Sequence, residues 1–237
     1  MVGSALRFRN LLYFFCAGLT LTGISPVSSA WADTIGRAAV VTNVVKQIAP
    51  TAGPVDLGAE IIRDEVVQTG VESNAKVVFA DNTNLSMGPG ATIRMDASVY
   101  SGGVARAVAA KLTAGAFRFV TGDGPKKDYS IETQLTTIGV RGTILDIWVR
   151  RGREIIVLQE GAAVVCIKAT GQCIKLGRDL DTVVIEVVNG KVRVTKTRRP
   201  PWTFAGLCQS NAALCGVTQY ARAGSESPGP VDALCGR

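Results

Sequence analysis

Residues 136–147 read TTIGVRGTILDI, and the phase of the apolar side chains changes part-way along this stretch. Ile138 and Val140 are apolar at even positions, whereas Leu145 begins an apolar series at odd positions. Because side chains alternate between the two faces of a strand, this slip requires a bulge or a corner. Gly142 can absorb it without a Cβ penalty. The stretch therefore predicts a strand that turns a corner.

The other residues of the motif have expected roles at that corner. Gly139 would let another strand or side chain approach closely. Arg141 would tie the corner together, by hydrogen bonds to carbonyl groups or to an acid such as Asp64 or Glu160. The alternative is a guanidinium offered to the carboxylate of a partner. The pattern favours the structural role of Arg141 and leaves the binding role open.

Short segments rich in valine and threonine follow Asp33, and glycine, aspartate and asparagine separate them. This pattern predicts an all-β fold of short strands, built as a rolled sheet or a β-solenoid-like coil, with a sandwich as the alternative. Glycines end a strand or turn in three similar segments, 112–119, 158–165 and 187–194. Residues 104–112 fit either a short helical turn or a strand.

The N-terminal segment predicts a cleavable export signal. Arg7 and Arg9 precede an uncharged apolar stretch at 11–24, and an A-x-A site ends at Ala32, before Asp33. An uncleaved anchor is the alternative. Removal of 32 residues would leave 205 residues and lower the formal net charge from +7 to +5, since two arginines and no acids are lost. Export to the periplasm argues against a nucleic-acid partner.

We expect three segments: a signal peptide at 1–32, a β domain at 33–197 and a cysteine-bearing irregular tail at 198–237. The chain has no histidine, which excludes Ser-His-Asp and Cys-His catalytic sites. It also has no Cys-x-x-Cys motif, so we expect no metal, no cofactor and no enzymatic activity.

Export permits disulfides, and Cys166 and Cys173 form the clearest candidate pair. If residues 168–171 form a four-residue hairpin loop, Ile167 faces Gln172 and the two cysteines face each other. Directly opposed residues have Cα atoms about 4.5–5.5 Å apart, within reach of a disulfide.

The tail holds Cys208, Cys215 and Cys235, from which a second disulfide is expected. Cys208 and Cys215 cannot bond within one straight helix, but they can if residues 209–211 turn. Since Cys16 would leave with the signal, one thiol remains over. It would be a buried free thiol or the link of a covalent homodimer.

An ordered series of motifs between residues 36 and 166 resembles the FecR domain. The most specific of them is a threonine-led strand running into Gly139-Val-Arg-Gly-Thr143. Two positions depart from the family pattern: Gln134 replaces a proline, and Asn82 replaces a hairpin glycine whose left-handed conformation asparagine tolerates. The other segments that carry the resemblance are 57–58, 61–64, 67–70, 75–85, 112–119, 129–133 and 158–165.

The resemblance implies a function in the cell envelope of a Gram-negative bacterium. The best-known members of the family join a cytoplasmic segment that binds a sigma factor, one membrane span and a periplasmic domain that senses a TonB-dependent receptor. With a cleavable signal in place of the first two parts, only the extracytoplasmic module carries over. We therefore expect a non-catalytic binding or signalling module that contacts an envelope protein or ligand. The alternative is a structural component that oligomerises or associates with the cell wall.

Trp148 is the candidate surface contact. It shares its outward phase with Asp146 and Arg150. Exposed, it could contact a partner, whereas a tail folded over it would hide it.

Overall fold

A computed structural model describes residues 34–95, 100–101, 104–105, 109–123 and 129–220 of the chain. These residues belong to one compact unit. The expected signal peptide, its cleavage site between Ala32 and Asp33, and Cys235 lie outside the described residues.

The described chain is mostly β-strand. In chain order the strands are β1 (Thr34–Thr42), β2 (Val45–Ala49), β3 (Gly53–Pro54), β4 (Glu60–Ile62), β5 (Val66–Thr69), β6 (Asn74–Phe79), β7 (Asn84–Met87), β8 (Thr92–Met95), β9 (Tyr100–Ser101), β10 (Val104–Ala105), β11 (Ala109–Val120), β12 (Tyr129–Glu132), β13 (Thr136–Arg150), β14 (Arg153–Ile167), β15 (Cys173–Leu176), β16 (Thr182–Val188) and β17 (Lys191–Thr197). Helix α1 (Ala205–Ser210) and a 3-10 turn (Ala212–Leu214) follow β17. Within these ranges no helix is long and apolar enough to cross a membrane.

One large sheet contains all strands except β9 and β10, which pair only with each other. Its main path runs β17-β16-β14-β13-β12-β11-β7-β6-β1-β4, and β15 is added beside β14. A branch through β8, β5, β2 and β3 joins at β11. Nearly all pairs are antiparallel, with β11 and β12 parallel. The segment that fits either helix or strand belongs to β10 and β11.

The sheet curls around its main core, to which strands near both of its ends contribute. Ile35 of β1 and Ile185 of β16 belong to the same buried cluster. Alternating burial along the strands places the other face outside this core. The predicted all-β class is confirmed.

The predicted corner in β13 is confirmed, and β14 turns with it. Val140 and Leu145 both lie in the core, and the pairing is irregular between Arg141 and Leu145. Ala163 faces Val140 and Leu158 faces Leu145, so the same number of residues separates the two pairs on each strand. The inward phase therefore reverses in both strands together, and the ladder stays in register across the bend.

Two glycines form this corner. Gly142 on β13 has φ +56° and Gly161 on β14 has φ +87°, the left-handed conformation that favours glycine. A Cβ at Gly161 would overlap the carbonyl oxygen of Gly142 and lie 3.0 Å from the Cα of Thr143. Gly161 was expected to end a strand or turn, but β14 runs through it without interruption.

Candidate binding groove

A groove of about 730 Å³ crosses strands β12, β13, β14 and β15 beside the glycine corner. Ser130, Gly139, Val164 and Lys175 stand opposite one another on these four strands and form one cross-strand row that lines the groove. Arg141, opposite Ala162 in the next row, also lines the groove.

The floor of the groove is made of small residues. Gly139 and Ala162 are exposed, and Val164 is 37% exposed. No atom lies within 4 Å of the position that a Cβ on Gly139 would take. The expected close approach at Gly139 is therefore wrong. The tight backbone contact lies instead between Gly142 of β13 and Gly161 of β14. Gly139 instead leaves space on the outer face.

Thr143 holds the corner that borders the groove. Its hydroxyl donates to the carbonyl of Ala162 at 2.9 Å and accepts from the backbone N–H of Arg141 at 2.9 Å. These are backbone groups that lose their ladder partners at a bulge. The N–H of Thr143 bonds to the hydroxyl of Thr121 on the far side. The threonine of the motif thus supplies the hydrogen bonds that the bent ladder lacks.

Two cations on the groove have no partner within the described part of the chain. Neither the Arg141 guanidinium nor the Lys175 ammonium makes a hydrogen bond or an ion pair there, and both residues are exposed. The expected structural tie from Arg141 to Asp64 or Glu160 is therefore wrong. The bulge directs Arg141 outward, and Thr143 already satisfies the corner. The alternative interpretation, in which the guanidinium is available to a partner, is consistent with this exposed position.

Tyr129 also lines the groove, and its buried side chain is fixed by contacts with the core. Its ring packs edge-on against Phe119 with centroids 5.9 Å apart, and its hydroxyl donates to Asp81 at 2.8 Å. Burial, and then the charge and hydrogen bond of Asp81, raise the pKa of Tyr129 to about 12. Tyr129 is thus a rigid, neutral wall. In the same turn Asn82 has φ +64°, the left-handed conformation expected of it.

A disulfide joins Cys166 to Cys173 at the far side of the groove. The two cysteines are directly paired on β14 and β15, with Cα atoms 4.0 Å apart. Ile167 donates its N–H to Gln172 at 2.8 Å, as expected for a four-residue loop. The crosslink holds β15, which carries Lys175, against the sheet.

Trp148 does not offer a free surface contact, because the C-terminal tail covers part of it. It is half-buried and packs against the buried cluster that contains Phe204 and Leu214 of the tail. The guanidinium of Arg153 lies 5.9 Å from the centre of its ring. The expectation that the tail hides Trp148 therefore describes the molecule better than an exposed contact does.

The tail also contains a disulfide, between Cys208 and Cys215. Helix α1 ends at Ser210, and Asn211 is extended at φ −149° and ψ 95° before the 3-10 turn begins. This break brings the two Cα atoms to 5.6 Å. In the described residues, no three acidic or cysteine side chains are grouped so that they could hold a metal.

Residues 65–193, more than half of the chain, match the FecR protein family. The chain belongs to the FecR family. The match includes every strand that lines the groove. Compared with the resemblance seen between residues 36 and 166, it begins later, after the segments 57–58 and 61–64, and it ends later, so that it includes β16 and part of β17. FecR proteins are a regulatory, non-catalytic family whose domains are typically extracytoplasmic and which act through protein partners.

Two crystal structures of a candidate anti-sigma factor from Parabacteroides distasonis ATCC 8503, at 2.50 Å and 1.65 Å resolution, are similar to this FecR chain. Each gives a TM-score of 0.47 and 13% sequence identity over 55% of this chain. The matched region spans 59% of the length of that protein. No curated protein matches the chain.

Proposed function

We propose that this FecR protein is a non-catalytic extracytoplasmic module that binds a protein partner in the cell envelope and takes part in signalling. The observation that carries the proposal is the groove beside the glycine corner. It lies within the family match, it is floored by small residues, and it carries two cations that have no partner among the described residues.

The groove fits an extended segment of a partner protein. Gly139, Ala162 and Val164 leave a shallow apolar floor across three adjacent positions, and an extended chain can lay alternate side chains on such a surface. Burial of these groups on both partners supplies affinity at about 25 cal/mol per Å² before the cost of ordering the segment.

The charges of the groove select an acidic segment. Arg141 and Lys175 stand on β13 and β15, with the floor between them, so both can reach carboxylates on one bound segment. Each exposed ion pair contributes about 0.2–1 kcal/mol, so a middle value of about 0.5 kcal/mol for each pair gives about 1 kcal/mol in total. Two such pairs correspond to about a fivefold difference in affinity.

Synthetic peptides test this proposal directly. A hexapeptide that alternates valine with glutamate should bind about fivefold more tightly than one that alternates valine with glutamine. The double variant Arg141→Gln, Lys175→Gln should remove the difference. Lys191→Gln, at an exposed position of β17 outside the groove, is the matched control and should leave it unchanged. Equal binding of the two peptides, or an equal loss in the control, would contradict the proposed groove.

Export to the periplasm completes the proposal. The basic and apolar N-terminal pattern and the A-x-A site support cleavage after Ala32. Mass spectrometry of the protein recovered from the envelope should show a chain that starts at Asp33. A chain that retains residues 1–32 would contradict cleavage.

The structural alternative, association with the cell wall, has a separate test. Co-sedimentation with purified peptidoglycan, unchanged in the double groove variant, would favour that alternative. A band of twice the monomer mass on a non-reducing gel, lost in Cys235→Ser, would identify the remaining cysteine as the link of a covalent dimer.

A further inference from the structure

A row of polar side chains crosses the outer face of the sheet on the side away from the groove strands β12 and β15. Lys76 of β6, Ser86 of β7, Arg118 of β11 and Asp146 of β13 are direct cross-strand neighbours of one another. Lys76 and Ser86 are each 1% exposed and Asp146 is fully buried. We call these four residues the polar row.

Residues 202–220 of the tail cover the polar row and make contact mainly through their main chain. Lys76 donates to the carbonyl of Ala213 at 2.7 Å and to the carbonyl of Gly216, and Ser86 donates to the carbonyl of Leu214. At the other end Asp146 accepts the backbone N–H of Phe204 at 2.9 Å.

Asn84, two residues before Ser86 on β7, continues the same pattern. Its side-chain amide donates to the carbonyl of Thr218 at 2.9 Å, and its side-chain carbonyl accepts the N–H of Thr218 at 2.9 Å. Asn82 accepts the N–H of Tyr220 at 2.8 Å. The side chains of this face thus bond to the main chain of the tail, as the main chain of a neighbouring strand would in a sheet.

The carbonyl groups that Lys76 and Ser86 bind lie in and just after the 3-10 turn, where the last carbonyls of a helical turn lack partners of their own. A lysine at such a position also complements the negative end of the turn. Recognition by this face therefore depends on the path of the bound chain more than on its side chains.

Few apolar side chains hold the tail in place. Phe204 and Leu214 are its two fully buried ones among the described residues, and they pack with Ala116. Burying each contributes about 1.5–3 kcal/mol. Asp146, in contrast, is held independently of the tail by Arg118, at 2.7 and 2.9 Å, and by Gln159 at 2.7 Å. The acceptor for Phe204 is thus built by the sheet itself.

We propose that the polar row is a peptide-acceptor site that the tail occupies in its own chain, and that the partner it fits from outside is the same tail of a second copy. Residues 198–201, with Pro200-Pro201, connect β17 to the docked segment. A short hinge containing prolines is the kind of connection through which identical elements exchange between copies. This site is separate from the groove and does not depend on the proposed function.

The first experiment converts the covalent tail into a separate peptide without removing any residue. A protease-recognition sequence is inserted between Thr197 and Arg198 of the full chain, the folded protein is cleaved, and a labelled peptide of residues 198–220 with its disulfide is added. The cleaved tail should stay bound and exchange saturably with the label. Lys76→Met should lower the affinity of the peptide by about tenfold or more, because two carbonyl groups lose a charged hydrogen-bond donor.

Lys46→Met, at an exposed position of β2, is the matched control and should change the affinity of the peptide by less than about twofold. Loss of the tail on cleavage, the absence of saturable exchange, or equal effects of the two lysine variants would overturn the acceptor site.

The second experiment tests the second copy by complementation. One copy carries Lys76→Met, which damages the face, and the other carries Phe204→Ala, which damages the tail. Both carry Cys235→Ser, so that no disulfide dimer forms. Native mass spectrometry of the mixture should show a heterodimer in excess of either homodimer, and circular dichroism should show that each copy is folded. If Phe204→Ala does not fold, Leu214→Ala takes its place. A mixture of folded copies without the heterodimer would overturn exchange between copies.

Discussion

Alanine at Gly161 should destabilise the protein far more than alanine at Gly142 or Gly139, although all three glycines border the same corner. At Gly161 the residue has φ +87°, and a Cβ would overlap the carbonyl oxygen of Gly142. At Gly142 the residue has φ +56° but no atom lies within 4 Å of the Cβ position. At Gly139 there is neither positive φ nor a neighbour within 4 Å.

The three free energies follow from these geometries. The left-handed conformation costs a residue with a Cβ about 1–2 kcal/mol, so Gly142→Ala should lower the free energy of unfolding by that amount. Gly161→Ala adds the cost of forcing packed backbone apart, about 1–3 kcal/mol, for a total of about 2–5 kcal/mol. Gly139→Ala should raise the free energy of unfolding by about 0.5–1 kcal/mol, because glycine in a strand is less favourable than alanine.

Denaturant unfolding of the purified variants measures the three free energies of unfolding. An unchanged slope m, the dependence of this free energy on denaturant concentration, would show that the same unfolding reaction is compared. Gly142→Asn serves as a control, since asparagine tolerates the left-handed conformation and should lose less stability than alanine there. Equal losses at Gly139 and Gly161, or a greater loss at Gly142 than at Gly161, would refute the paired-glycine corner.

Three further predictions concern the tail and the groove wall. Asp146→Ala should lower the free energy of unfolding by about 3 kcal/mol because it leaves the Arg118 charge without its partner, and adding Arg118→Met should restore only part of this loss in denaturant unfolding, since Gln159 and the N–H of Phe204 still lack their acceptor. The neutral form of Tyr129 should stabilise the fold below pH 10, and this contribution should fade as the pH rises from 10 toward the raised pKa of about 12. Tyrosinate absorbance of the wild type minus that of Tyr129→Phe should show this late titration, and a difference curve centred near 10 would contradict it. Replacing Cys208 and Cys215 by serine should destabilise the tail by about 2 kcal/mol and speed hydrogen exchange in residues 202–220, whereas unchanged exchange would show that the crosslink does not hold the tail.

Local patterns made the corner predictable from the sequence. The change of phase between Val140 and Leu145 can be read from the alternation of apolar residues along the sequence, and glycine is the residue that such a bend requires. The hairpin of Cys166 and Cys173 was predictable for the same reason, since a four-residue loop fixes which residues face each other. Both features depend on residues close together in the chain.

The roles of Arg141 and the polar row could not be predicted in this way. The sequence favours a structural role for Arg141 because it does not reveal that Thr143 already satisfies the hydrogen bonds of the corner. Lys76 and Asp146 alternate with core residues, and such positions normally face solvent. Their burial depends on the tail, and 137 residues separate Lys76 from Ala213, which it contacts. Only the folded chain brings these groups together.

The central claim is that a partner of this FecR protein binds at the groove beside the corner, and site-specific photo-crosslinking tests it most directly. A photoreactive residue at Gly139 has open space on the groove floor, and one at the exposed Val187 of β16 is the control outside the groove. In the envelope of the cell that makes the protein, the probe at Gly139 should give one discrete crosslinked product that Arg141→Gln weakens. The same product from Val187, or a product from Gly139 that Arg141→Gln leaves unchanged, would contradict the account.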